Sequence, residues 1–160
     1  MTRYLPTTTT LTHRPAIDCS THREQQHRER ILRSIDGFCG PYSVAYITGT
    51  AIDQVLTHAR HKYRKSPLWQ GSTTPGELKQ LMHDHGIRIT ATRHMTGTTI
   101  AEVAAEQAPN TWYIMMVSNH YVTMRNGYCI DQTETRRAQL HWTARKQVKT
   151  QWTVEYDLRS

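Results

Sequence analysis

The stretch "TWYIMMVSNHYVTMRNGYCID", residues 111–131, decides how this chain folds. It opens on a continuous apolar run with β-branched and aromatic members, which predicts a buried strand. "HYVTM" and "YCID" then flank Asn126-Gly127, the residue pair that suits a two-residue hairpin turn. Such a turn pairs Arg125 with Tyr128, and counting back sets Val122 against Asp131 and His120 against Thr133. Side chains repeat every two residues along a strand. His120 and Asp131 therefore become diagonal neighbours on one face, where a carboxylate can reach an imidazole nitrogen. The same face carries Val122, Met124 and Cys129, a core-like set.

Downstream, "QVKTQWTVEY" (147–156) alternates as a half-buried strand, with Val148, Trp152, Val154 and Tyr156 on one face and Gln147, Lys149, Gln151 and Glu155 on the other. Upstream the period changes to that of helices. "TTIAEVAAEQAP" (98–109) carries a capping box at Thr99 and Glu102, and "TPGELKQLMHDHG" (74–86) another at Thr74 and Glu77 with Pro75 at its start and Gly86 at its end. "TAIDQVLTHARHKY" (50–63) predicts a further helix, "IRITATR" (87–93) a short strand, and "STHREQQHRERILRSID" (20–36) a charged helix capped by Thr21 and Glu24. Helices come first and antiparallel strands second, which is the α+β class. Residues 1–17, rich in Thr with two prolines, are expected to form an extended or mobile arm, leaving 18–160 as a single domain.

Charge bounds the partners. Twenty Lys and Arg against thirteen Asp and Glu give a net +7, which favours nucleic acid, an acidic protein face or an anionic surface. Three cysteines in 160 residues form no disulfide framework and fit free thiols in a reducing compartment. No apolar run approaches the ~18 residues that a membrane span needs, and "MTRYLPTTTTLTHRP" lacks the apolar core of a signal peptide, so a cytoplasmic location is expected.

The chemistry concentrates on "IDGFCGPYSVAYITG" (35–49). Cys39 stands between two glycines at the predicted start of a helix, with Pro41 in the first turn and Gly49 as its stop. A helix N-terminus and an adjacent imidazolium both favour a thiolate. A carboxylate on the far imidazole nitrogen fixes the tautomer and steadies the charge. Cys39, His120 and Asp131 thus compose a candidate nucleophile, general base and orienting acid.

The order of these residues resembles the papain-like cysteine peptidases, and most closely the bacteriocin leader peptidases associated with ABC transporters. Cys39-Gly40-Pro41, "GSTTPGELKQLMHDHGI", "NHYVTM" and Ile130-Asp131 carry the resemblance over about residues 34–133. It implies a papain-like fold, a Cys-His-Asp triad, a peptide or protein substrate cut after small residues, and no cofactor or metal. One position departs: the family has a Gln six residues before the cysteine to hold the oxyanion, and this chain has Arg33. A weaker resemblance, to OTU-type cysteine proteases, rests on Asp36-Gly37-Phe38-Cys39 and His120-Tyr121. It implies an oxyanion held by backbone N–H groups of the loop braced by Asp36. Ser34 is a weaker candidate for the same role.

Other features admit plainer readings. Cys129 alternates inward and reads as packing; Cys19, in "DCS", resembles the nucleophile of NlpC/P60 peptidases but is followed by a polar helix. His58 and His61, or His83 and His85, could approach one another, yet no Cys-x-x-Cys or His-Glu-x-x-His spacing exists and a metal is not expected. "RRAQLHWTARKQVK" (136–149) has five Lys and Arg, no acid, and Trp142 among them. Arg136, Arg137, Arg145 and Lys146 are its candidate binding face for nucleic acid or an acidic protein. The alternative to an enzyme is therefore a catalytically silent papain-like domain that binds through this basic surface.

Overall fold

The computed structural model describes residues 38–69 and 71–156. The expected arm, the capped helix at Thr21, Cys19, Arg33, Ser34 and Asp36 lie outside the described residues. Among the described residues three helices come first: α1 (Cys39–Thr48), α2 (Ile52–Lys62) and α3 (Pro75–Asp84). Then follow β1 (Ile87–His94), a short α4 (Ile100–Ala104), and β2 (Trp112–Val117), β3 (His120–Arg125), β4 (Tyr128–Ile130), β5 (Thr135–Arg137) and β6 (Thr150–Tyr156). The architecture is α+β, with one six-stranded sheet in the order β1-β6-β2-β3-β4-β5, antiparallel throughout.

Local chemistry places the elements. Thr74 and Thr99 each accept the backbone N–H three residues on, and Glu77 and Glu102 reach back to the cap N–H, so both predicted capping boxes form. Gly49 ends α1 in the left-handed region. At the β3–β4 hairpin both turn residues have positive φ, 50° at Asn126 and 81° at Gly127, and Arg125 pairs with Tyr128 as the Asn-Gly signal predicts.

The sheet is covered on both faces. On one, α1, α2 and α3 bury Val44, Ile47, Val55, Leu78, Leu81 and Met82 against Ile114, Tyr121, Trp152 and Val154. On the other, Ile100 and Val103 of α4, with Ala138 and Val148, cover Tyr113, Met115, Val117, Val122, Met124 and Cys129. α1 is buried over nearly its whole surface because it lies inside this assembly rather than on it.

Several expectations are corrected. Val148 packs on the α4 face, not with Trp152 and Val154, because residues 147–149 are tied to other segments and β6 begins only at Thr150. Val148 N–H donates to Thr98 O at 2.8 Å and Lys149 N–H to Met116 O at 2.8 Å. Gln151, expected on an open face, is buried, since that face has a second cover. The predicted ladder beyond Ile130 does not form: Asp131 N–H donates to Glu134 O at 3.1 Å and the chain turns into β5. The basic run holds an edge strand, β5, and a segment whose Ala138, His141, Thr143, Ala144 and Val148 are buried. That segment is fastened to α4: the N–H groups of Ile100 and Ala101, which no helical carbonyl can satisfy, donate to Lys146 O and Ala144 O at 3.0 and 3.1 Å.

Candidate active site

Cys39 is the first residue of α1, only 5% exposed, and its sulfur accepts the backbone N–H of Tyr121 at 3.4 Å. The loop before α3 closes over this end of the helix. A Cβ on Gly40 would stand 2.6 Å from Thr73 Oγ1 and 3.3 Å from Leu78, so only glycine allows the loop this near. Gly71, at φ +114°, packs its backbone on Phe38, where a Cβ would meet Phe38 Cβ at 2.5 Å. Tyr121 adds a bridge of its own: its hydroxyl donates to Thr73 O at 3.3 Å while its ring stacks on Trp152 at 6.2 Å.

His120 is the first residue of β3, one residue after Asn119, which turns the chain at φ 50°. It is 8% exposed, Asp131 is 1% exposed, and His120 Nε2 lies 2.8 Å from Asp131 Oδ2. The two share a face as the hairpin count requires, although the turn after Ile130 and not a continued ladder delivers the carboxylate. Burial opposes charge on the imidazole, but hydrogen bonds to Asp131 and Cys39, with the charges of both, outweigh it and lift His120 to about 9. Burial likewise opposes the Asp131 carboxylate. Interactions with His120, His141 and Thr133 prevail and hold it well below the usual carboxylate range.

Asp131 is held more firmly than a simple triad requires. Oδ1 accepts Thr133 N–H at 2.9 Å, Thr133 Oγ1–H at 2.7 Å and Glu134 N–H at 3.1 Å, an Asx-type turn. Oδ2 accepts Trp142 Nε1–H at 2.8 Å besides facing His120. The Trp142 ring lies 4.9 Å from the His120 ring, and 48% of the residue remains exposed, so it roofs the pair on the solvent side. His141 lies beneath, with no exposed side-chain surface, stacked on Trp142 at 6.1 Å.

The structure thus brings Cys39, His120 and Asp131 together. Asp36 and Ser34 lie outside the described residues. Arg136 and Arg137 are exposed on β5, and Arg145 and Lys146 on the segment after Trp142. Arg136 stands 3.7 Å from Glu134, Arg137 lies over the Tyr128 ring at 5.3 Å, and Lys146 over the Trp142 ring at 5.6 Å. Cys129 is buried, and burial with the nearby charges of Asp131 and Glu134 pushes its thiol up to about 12. Sequence reasoning assigned Trp142 to the basic face and gave His141 no role; the signal was "HW" in the middle of the cationic run, where charge drew the reading away from the aromatic pair. His58 bonds Asp84 at 2.9 Å and His85 Nδ1 lies 2.9 Å from Leu81 O, and among the described residues no three His, Cys, Asp or Glu side chains are grouped to hold a metal ion. Among the described residues no helix is long and apolar enough to cross a membrane. Comparisons with protein-family models, curated proteins and solved structures return no match to this chain.

Proposed function

We propose that this chain is a papain-like cysteine peptidase or a closely related thiol hydrolase acting on a peptide or protein. The observation that carries the reading is the buried alignment of a helix-leading thiol, an imidazole and a carboxylate, with Nε2 of His120 engaged by Asp131 and Nδ1 left for the sulfur. The Cys39 thiolate attacks an acyl carbonyl and forms a C–S bond. Tyr121 N–H and the start of α1 stabilise the sulfur anion before attack. The tetrahedral oxyanion rests on the Cys39 backbone N–H at the head of α1. His120 gives its proton to the leaving amine, the C–N bond breaks, and a thioester remains. A water that loses its proton to His120 attacks the thioester and releases the acid and the thiolate. Asp131 keeps the imidazole in the required tautomer throughout. The described cysteines, Cys39 and Cys129, are free, which suits a reducing compartment such as the cytoplasm.

A second reading has one observation of its own. Arg145 and Lys146 are exposed beside a half-exposed Trp142, a combination that a catalytically silent binding domain would use on an acidic protein or nucleic acid. The test is incubation of a proteome-derived peptide mixture with the wild-type protein and with Cys39→Ala, read as newly formed termini by mass spectrometry. New termini with the wild type alone are expected. None with either protein, while both remain folded, overturns the enzyme and favours the binding domain.

A further inference from the structure

We propose that Asp131 is shared by two imidazoles, and that His141 is a positioning residue whose Nε2–H steadies Oδ1 and so sets how strongly Oδ2 draws on His120. The inference rests on the His120–Asp131 pair alone, so it stands or falls separately from peptidase activity.

His141 has an arrangement that packing does not require. Its side chain is wholly buried, yet Nε2 makes no hydrogen bond among the described residues and lies 3.5 Å from Asp131 Oδ1. The other nitrogen fixes the tautomer. Nδ1 stands 3.2 Å from the backbone nitrogen of Thr143, whose N–H can only donate, so Nδ1 is an acceptor. Thr143 Oγ1 is 2.8 Å away and can meet the same lone pair. The proton of a neutral His141 therefore sits on Nε2, facing the carboxylate.

The charged surroundings are few. Asp131 and Glu134 face His141 from the turn after β4, at 3.5 and 3.9 Å, and Arg136 on β5 lies 3.7 Å from Glu134. Lys146 lies over the Trp142 ring at 5.6 Å, and His120 and Cys39 are reached through Asp131. Every donor on a carboxylate lowers its power to accept from another donor. His141 at Oδ1 thus moderates the hold of Asp131 on the imidazolium of His120, and its removal makes His120 more basic.

Histidine ring-nitrogen NMR on the full ¹⁵N-labelled chain tests this, titrated from pH 5 to 10 in wild type, His141→Asn and His141→Gln. Asparagine keeps a polar atom near the Nδ1 position and nothing at Nε2; glutamine keeps a donor near Nε2. The wild type is expected to show His141 protonated at Nε2. In His141→Asn the His120 midpoint is expected to rise by about 0.5–1 pH unit, and in His141→Gln to return towards the wild-type value. A His141 proton on Nδ1 overturns the proposal, and so does a His120 midpoint equal in wild type and His141→Asn. Should His141→Asn not fold, the wild-type tautomer and the His141→Gln titration still decide, because a Gln shift as large as the loss of a donor contradicts the role.

Discussion

Asp131 explains more of the site than the thiol does. A carboxylate with almost no solvent contact is expensive unless every lone pair is used. Here two backbone N–H groups, a hydroxyl and an indole N–H supply the donors, and His120 supplies the countercharge. The result is a fixed anion whose position is dictated by the sequence immediately after it, since Thr133 and Glu134 close the turn. Trp142 contributes two effects that separate cleanly: its ring covers His120, and its N–H bonds Oδ2. Trp142→Phe keeps the cover and removes the bond. We expect that variant to lose about 1.5–3 kcal/mol of stability in urea unfolding, as for a hydrogen bond to a buried charged group. Freeing Oδ2 of a donor should also strengthen its hold on His120 and raise the His120 titration midpoint in ring-nitrogen NMR. An unchanged midpoint would assign Trp142 to shielding alone.

At the scale of elements, α4 is short but holds the site's roof in place. Its capping box orders the first turn, and the N–H groups of that turn clasp the carbonyls of Ala144 and Lys146, just past Trp142. Thr99→Ala should cost about 1 kcal/mol, the usual value of an N-cap. It should also speed amide exchange at Ile100 and Ala101, whereas Thr74→Ala should cost a similar amount and leave those two amides protected. Equal exchange in both variants would contradict the coupling. The elements legible in the sequence were those set by local chemistry: the caps at Thr74 and Thr99, the Asn126-Gly127 turn, and the apolar run of β2. What stayed hidden depends on the fold's long-range contacts. The 138–149 segment buries small or polar residues, Ala138, Thr143 and Ala144, with no period, while its Lys and Arg side chains dominate composition. The end of the β3–β4 ladder was hidden too, because the Asx-type turn at Asp131 competes with strand pairing and wins.

For the molecule as a whole, the linked titration of His120 and Asp131 sets a pH window for stability. His120 is raised from 6.5 to about 9 in the folded chain, so its contribution is complete below about 6.5 and is lost as pH rises through about 9. Asp131 is depressed below 3.8, so its contribution is complete above about that value and is lost as pH falls towards the folded value. Thermal unfolding should therefore peak between about pH 4 and 6.5 and decline on the alkaline side, and His120→Ala should flatten the decline between about 6.5 and 9. An equally steep decline in that variant would remove His120 as its source. In the proposed mechanism Cys39 and His120 act as one unit at the head of α1. The most direct test is the rate of Cys39 alkylation by iodoacetamide from pH 4 to 10, resolved by site with mass spectrometry, in wild type and His120→Ala, with buried Cys129 as the internal control. Fast modification of Cys39 well below pH 8 is expected, lost in His120→Ala, while Cys129 stays inert. A Cys39 rate that climbs only above about pH 8, identically in both proteins, would contradict it.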